Sequence, residues 1–378
     1  MTSLKLYIRK TAVAYIVFLI FFTIIAANVF AQPPSAGSIL SEERQQRVQR
    51  SIQRLSPTPP GEEVVSPPES AVGPDIKIFV KRIEFTGYES LILLKELDKI
   101  AAPYVGKETS FNDLQFLAQV ITIDLREKKG FLLARAYLPQ QDVTEGTVKI
   151  AIIAGRLDGE VGVSVQEPYR INKRLLEKIA SNKTADGASI LTKNVERAVL
   201  LINNLPGMSA RAYLDKGKSP GTTRVSINCN EDRLFHGMIY GDNFGNNSTG
   251  AFRRIAQITL NDPLHCGDIL QMTYINSNYL NQGAGYFSFP LGAQGLFLDL
   301  SCNGLHYKLA GKLANLDANG SAVTSSANMR YPLILTRQGS LWVGGGYDYL
   351  WLEDRIGDIA YSGRNISAGN ASVTGSFF

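Results

Sequence analysis

The sequence predicts α+β modules, two βααββ units in tandem, followed by an antiparallel transmembrane β-barrel portion. Three observations carry this. An apolar export signal opens the chain, a strand–helix–helix–strand–strand order then occurs twice, and near Arg233 the pattern becomes alternation of apolar and polar residues broken by Gly, Asn, Asp and Ser. The segment LFLDLSCN (296–303) puts Leu296, Leu298, Leu300 and Cys302 on one face and Phe297, Asp299, Ser301 and Asn303 on the other. A strand with one apolar and one polar face suits a wall between lipid and water.

Residues 1–31 read as a signal peptide for export. Lys5, Arg9 and Lys10 form the positive start, Ala12 to Ala27 is apolar apart from Thr23, and Val29 and Ala31 stand at −3 and −1 to a cut between Ala31 and Gln32. Residues 32–75 are a mobile segment with one island of structure. Over about 36–55, Ser41 is the N-cap of a polar helix whose thin apolar stripe is Leu40, Val48, Ile52 and Leu55. PTPP (57–60) and PP (67–68) then enforce an extended linker.

Residues 76–157 and 158–231 are read as the two repeated units. In the first, strand 76–85 precedes helices 90–104 and 111–129, the second with Leu114, Leu117, Val120, Ile121 and Leu125 on one face and Gly130 as its C-cap. Strands 132–138 and 147–153 complete a small sheet. The second unit repeats this as strand 161–166, helices 170–181 and 192–204, and strands 208–215 and 222–229. Beads on a string, each with its own core, follow from such a repeat.

Residues 232–378 supply eight strand-like segments, near 234–242, 252–261, 268–277, 285–291, 295–303, 321–333, 340–351 and 365–377. In the seventh, Leu341, Val343, Tyr347, Tyr349 and Trp351 oppose Trp342, Gly344, Gly346 and Asp348, and the three aromatics suit a girdle at the headgroup level. GDNFGNNSTG (241–250) is hairpin-turn chemistry.

Composition fits and excludes in the same terms. A chain of 378 residues is too long for one ordinary domain. Its 44% hydrophobic content and mean hydropathy of −0.04 are those of a soluble protein, and a membrane barrel shares them because alternation cancels in the average. The net charge of +5 gathers into no Lys/Arg block, which excludes a nucleic-acid footprint. Cys229, Cys266 and Cys302 form no Cys-x-x-Cys pair. They read as small wall residues, with a disulfide between two of them left open. His236, His265 and His306 lack ligand spacing, and the carboxylates Asp242, Asp299, Asp348 and Asp354 fall in the lumen or loops without forming an acid–base pair. No Gly-x-Ser-x-Gly elbow and no phosphate loop is present, since Gly344–Gly346 lies in a strand and precedes no Lys. No enzyme activity, cofactor, metal or nucleotide is implied.

Four stretches resemble one family. FLLARAYLPQQDVTEGTVKIAIIAGRLDGE (131–160) is similar to the close of a POTRA module in the outer-membrane transporters of two-partner secretion, the hemolysin activation/secretion type. LLINNLPGMSARAYLDKGKSPGTTRVSIN (200–228) resembles that family's second POTRA module, GDNFGNNSTG the start of its barrel, and SAGSILSEERQQR (35–47) its plug helix. The resemblance implies an outer-membrane protein with periplasmic POTRA modules. These bind the N-terminal secretion domain of one large exported adhesin or hemolysin, and a barrel of about sixteen strands in outer-membrane lipid conducts it. It places client contact on the first module, where Arg135, Tyr137 and Lys149 are the candidates. A sheet edge that accepts an extended chain agrees with this physically.

The sequence departs from the family in lacking an Arg-Gly-Tyr loop motif, and its eight strands are half of the family's number. Ser372, Thr374 and Ser376 stand where the closing-strand signal needs apolar residues. These departures lead to the expectation of a transporter truncated within its barrel, which does not secrete by itself. The alternatives are a barrel-assembly factor of the same superfamily and a complete small eight-stranded barrel with an adhesion or structural role, filled by its own side chains.

Overall fold

The computed structural model describes residues 77–377 apart from 183, 185, 220 and 221. The export signal, its cut between Ala31 and Gln32, the plug helix and the linker lie outside the described residues.

The first module begins with β1 (Lys77–Val80) and β2 (Arg82–Thr86) and continues through α1 (Leu94–Ala101), β3 (Lys107–Ser110), α2 (Phe111–Ile123), β4 (Arg135–Tyr137) and β5 (Thr147–Ile153). The single strand expected over 76–85 divides at Lys81. The N–H groups of Lys81 and Arg82 both donate to the carbonyl of Gly146, at 2.7 and 3.3 Å, which breaks the strand's alternation. β1 therefore pairs antiparallel with β3, while β2 runs parallel to β5 in a sheet of order β2-β5-β4. Gly146 permits the close approach, because a Cβ there would lie 2.7 Å from the carbonyl oxygen of Phe79.

Helix α2 starts at a capping box between Ser110 and Asp113. Leu114, Leu117, Ile121 and Leu125 of the expected apolar face are buried, whereas Val120 is only half-buried. One π turn over Asp124–Lys128 widens the helix end before Gly130, whose φ of +76° closes it as expected.

The second module contains β6 (Arg156–Leu157), β7 (Gly162–Val165), α3 (Lys173–Ser181), α4 (Thr192–Asn203), β8 (Met208–Lys216) and β9 (Thr222–Glu231). β9 is central, parallel to β6 and β7 and antiparallel to β8. The modules are stitched together. Leu132 N–H donates to Ile190 O and Thr192 N–H to Gly130 O, each at 2.9 Å, around a bridge between Phe131 and Leu191.

The rest is one antiparallel sheet whose strands pair in sequence order. They are β10 (Phe235–Asp242), β11 (Arg253–Asn261), β12 (Ile269–Asn276), β13 (Leu280–Pro290), β14 (Phe297–Lys308), β15 (Ala318–Thr336), β16 (Gly339–Ile356) and β17 (Ile359–Phe377). All eight expected segments are strands. β13 starts earlier than expected because Gly283 and Gly285 hide its alternation, and β14 to β17 are each longer. Among the described residues no helix is long and apolar enough to cross a membrane.

Register fixes two faces. Leu298, Leu300 and Cys302 align with Met329, Ala327 and Ser325 on the outward face, and Asp299, Ser301 and Asn303 with Asn328, Ser326 and Thr324 on the inward one. On β16, Tyr347, Tyr349 and Trp351 are exposed outward while Asp348 is buried inward. From Leu341 to Trp351 the outward band has the length of the roughly 9–11 residues a tilted membrane strand needs. Glu353 and Arg355 follow on the same face, paired at 3.1 Å.

The second module is docked on the barrel's near rim. Leu201, Ile202 and Leu205 share one buried cluster with Phe297, Leu335 and Trp342. Arg197 Nη2 donates to Pro332 O at 2.9 Å.

Candidate functional site

Two surfaces are candidates, the module faces and the inward wall of the sheet. On the first module, Arg135, Tyr137 and Lys149 lie on the sheet face away from the helices and are exposed. Tyr137 stands opposite Ala151 and Arg135 opposite Ile153, and Lys149 lies on the same face of β5, beside Glu84 of β2. The structure thus brings the three sequence candidates onto one solvent face.

The edge beside them is closed, which corrects the expectation that it lies open to an extended chain. Ala136 N–H donates to Thr122 Oγ1 at 2.9 Å, and Arg126 Nε donates to Ala134 O at 2.9 Å. Beyond Pro139, Gln141 takes the place of a strand residue: Lys149 N–H donates to Gln141 Oε1 at 2.6 Å, and Gln141 Nε2 donates to Lys149 O at 2.7 Å. Side chains of α2 and the following loop thereby occupy the outer groups of β4 and β5.

Sequence reading missed a second apolar stripe on α2. Phe116 and Ile123 are 58% and 45% exposed, and Val120 between them is half-buried. Their spacing, i, i+4 and i+7, is legible in the sequence, but the core stripe of Leu114, Leu117 and Ile121 beside it draws the eye first. α2 thus carries one apolar stripe in the core and a second that faces solvent.

The inward wall is polar and internally paired. Arg330 Nε donates to Asp299 Oδ2 at 2.8 Å, and Tyr286 Oη donates to the other oxygen of Asp299 at 2.9 Å. The Arg330 guanidinium also lies 4.3 Å from the Phe297 ring centroid and 5.3 Å from that of Trp342. Toward the far rim, Arg253 Nε pairs with Asp242 at 2.8 Å and Tyr307 Oη donates to Asp354 at 2.8 Å. Asn370 Nδ2 donates to Asp348 at 3.1 Å. The four carboxylates singled out in the sequence all line this face.

His236 lies 3.3 Å from Asp232, His265 sits in the β11–β12 turn at φ +62°, and His306 meets Ser321 Oγ at 3.0 Å. Among the described residues no group of three or more His, Cys, Asp or Glu side chains could hold a metal. Cys229, Cys266 and Cys302 are free thiols.

Comparison with known proteins gives a consistent picture. Residues 78–155 match the POTRA domain of ShlB type, and residues 221–378 match the haemolysin secretion/activation protein ShlB/FhaC/HecB. The heme/hemopexin transporter protein HuxB of Haemophilus influenzae strain Rd is 28% identical over 353 residues, 91% of this chain and 61% of that protein. The outer membrane transporter CdiB of Escherichia coli O6:K15:H31 is 24% identical over 231 residues, 61% of this chain and 37% of that protein. Among solved structures, CdiB from Escherichia coli superposes with a TM-score of 0.68 at 18% identity, covering 93% of this chain and 66% of that one. CdiB from Acinetobacter baumannii gives 0.62 at 17% identity, covering 90% and 67%. At that identity the likeness establishes the fold. The chain spans from half to three-fifths of the length of the HuxB proteins it matches.

Proposed function

We propose, for a chain that carries a ShlB-type POTRA domain and a barrel segment of the ShlB/FhaC/HecB type, a role in two-partner secretion across the outer membrane. The modules, expected from the sequence as residues 76–157 and 158–231 but with Arg156 and Leu157 paired to β9 of the second, stand in the periplasm and hold a large exported protein by its N-terminal secretion domain. The barrel portion, 232–378, meets outer-membrane lipid with its outward face and contributes wall to the conduit. The observation that carries this reading is the joint between the second module and the barrel rim, where Leu201, Phe297 and Trp342 form one core. A chain bound on the modules is thereby delivered to the polar wall.

Client contact on the first module is assigned to the Arg135, Tyr137 and Lys149 face and the Phe116, Val120 and Ile123 stripe of α2. Because β4 is closed, contact there is through side chains. The reading needs no nucleotide, nucleic acid, cofactor or bond-making chemistry. It is tested with the full chain in detergent micelles against the secretion domain of a large exported protein encoded beside it. Binding in the micromolar range that Phe116→Ser weakens several-fold supports the reading. Absence of binding at tens of micromolar would sink it.

A further inference from the structure

The outward face of the sheet changes character at the rim away from the modules. Register carries that face from Leu300 through Phe287 and Leu270 to Leu260. On β11 the outward residues Leu260, Ile258 and Ala256 are apolar, and beside them on β12 stand Leu270, Met272 and Tyr274. At the last outward position of β11, β12 and β13 the residues are Arg254, Asn276 and Asn281, flanked by Gly241 of β10 and His306 of β14. A polar row thus stands where the apolar surface suited to lipid chains ends.

The row is bonded in one direction. Arg254 Nη1 donates to Asn276 Oδ1 at 2.9 Å, Asn276 Nδ2 donates to Asn281 Oδ1 at 2.8 Å, and Tyr274 Oη donates to the same oxygen at 3.0 Å. The amide oxygens are spent within the row. Left over are donors, the other N–H groups of Arg254 and the Nδ2 amide of Asn281, and both side chains are exposed. An acid enters the row only at Glu353 of β16, beyond Ser321 of β15, and Arg355 holds it at 3.1 Å. Aromatic rings frame the donors. A Cβ at Gly241 would lie 2.8 Å from Phe252 Cζ, so that ring lies across the backbone beside Arg254. Phe252 and Tyr274 are 55% and 51% exposed.

We infer that this row binds a membrane lipid whose headgroup is a phosphorylated sugar. Phosphate oxygens accept what the row has left to give, from the arginine fork and the free amide together. Tyr274 and His306 flank them with groups that sugar hydroxyls can meet. An arginine on a lipid-facing wall is costly without a counter-charge, and the phosphate supplies one. The occupant is a lipid and not a soluble anion, because the donors sit at the end of the apolar strip that would seat its acyl chains. The inference rests on the reading of the outward face as lipid-facing.

Flotation of the full chain with vesicles of phosphatidylethanolamine and phosphatidylglycerol tests that reading alone. Retention of lipid A, an acylated and doubly phosphorylated disaccharide, by the full chain in detergent micelles is then read by native mass spectrometry. Arg254→Gln should weaken retention about fivefold and Asn281→Ala about threefold, with the far-ultraviolet circular dichroism of both unchanged. Lipid A stripped of its phosphates should bind the parent about as weakly as intact lipid A binds Arg254→Gln. Arg224→Gln, which removes the same charge from the second module, should leave retention unchanged. If neither Arg254→Gln nor Asn281→Ala weakens retention, or if the phosphates make no difference, the site is overturned while the lipid-facing reading stands. Equal weakening by Arg224→Gln, which would show net charge at work, also overturns it, as does displacement of lipid A by millimolar inorganic phosphate. A chain that does not float overturns both.

Discussion

Thr122 and Ala136 are bound side chain to backbone: the Ala136 N–H donates to Thr122 Oγ1 at 2.9 Å, and the same hydroxyl donates to Ala118 O at 2.8 Å. One threonine thus ties the outer edge of β4 to helix α2. Thr122→Val keeps the shape and removes the oxygen, so the Ala136 N–H is left without its partner. A loss of about 1 kcal/mol is expected, read as a lower thermal midpoint of the far-ultraviolet circular dichroism signal. Thr122→Ser should recover most of it. A valine variant as stable as the parent would show the hydroxyl to be dispensable.

Arg330 is held by Asp299, Phe297 and Trp342 together, and the aromatic pair belongs to the core shared with α4. Arg330→Ala removes the partner of a mostly buried carboxylate and the packing on two rings. We expect a destabilisation of about 2–4 kcal/mol, seen as a lower urea midpoint in micelles. The double variant Arg330→Ala/Asp299→Ala should lose less than the sum of the two single changes. Strict additivity would argue that the pair does not interact.

Gly295 turns beneath the second module at φ +91°, where a Cβ would lie 2.4 Å from Leu201 Cδ2. Gly295→Ala meets both backbone strain and a clash at the joint, for a cost of about 2–3 kcal/mol. Leu201→Ala in the same chain should relieve part of it by making room. If the alanine variant melts with the parent, the docking seen here is not the one the protein holds in solution.

In the turn between β11 and β12, Asp262 and Asp268 are fully buried. Asp262 accepts the Gly267 N–H at 2.6 Å. Asp268 accepts from Leu264 at 3.2 Å and from the Cys266 N–H at 3.4 Å. Burial, helped by the charges of Glu231 and Asp268 and opposed by the Gly267 N–H, pushes the Asp262 carboxyl up to about 6. Glu231 itself is held by Arg170 at 2.6 Å. A raised folded value means the native state keeps a proton that the unfolded chain, near 3.9, gives up. This contribution to stability is complete below pH about 4 and is lost as pH rises through about 6. Asp262→Asn keeps the acceptor for Gly267 and cannot ionise, so it should be more stable than the parent at pH 8 and close to it at pH 4. Denaturant midpoints at the two pH values decide, and equal gains at both would refute the titration.

Two of the three thiols should be inert. Burial pushes Cys229 up to about 11, and burial with the neighbouring Asp268 pushes Cys266 up to about 12. Thiolate is the reactive form. Iodoacetamide at pH 8 should therefore leave both unmodified in the folded chain and alkylate both in urea, as peptide mass spectrometry will show. Rapid labelling of Cys266 without denaturant would contradict its placement beside Asp268.

Much of this architecture is legible in the sequence because period and burial agree there. Leu298 and Asp299 stand on opposite faces as alternation requires, and Leu117 and Ile121 are buried as a helical stripe requires. What stays hidden depends on contacts between segments far apart. Lys81 breaks its strand because of Gly146, which no local pattern reveals. The side-chain candidates Arg135, Tyr137 and Lys149 do share a face, since β4 and β5 alternate regularly. The closure of the neighbouring edge depends on Thr122, Arg126 and Gln141, polar residues whose partners are backbone atoms. Such partners leave no trace in hydropathy.

The paired bonds that join Leu132 to Ile190 and Thr192 to Gly130 have a consequence for affinity. They hold the two modules as one body, so under the proposed function a polypeptide seated on the first would be presented to the second at a fixed spacing. Contacts too weak to matter singly would then act as one bivalent grip, the second engaging at an effective concentration on the order of millimolar, as short tethers give. Such a grip would weaken steeply once either contact is surrendered, which suits a client that is first retained and then let go.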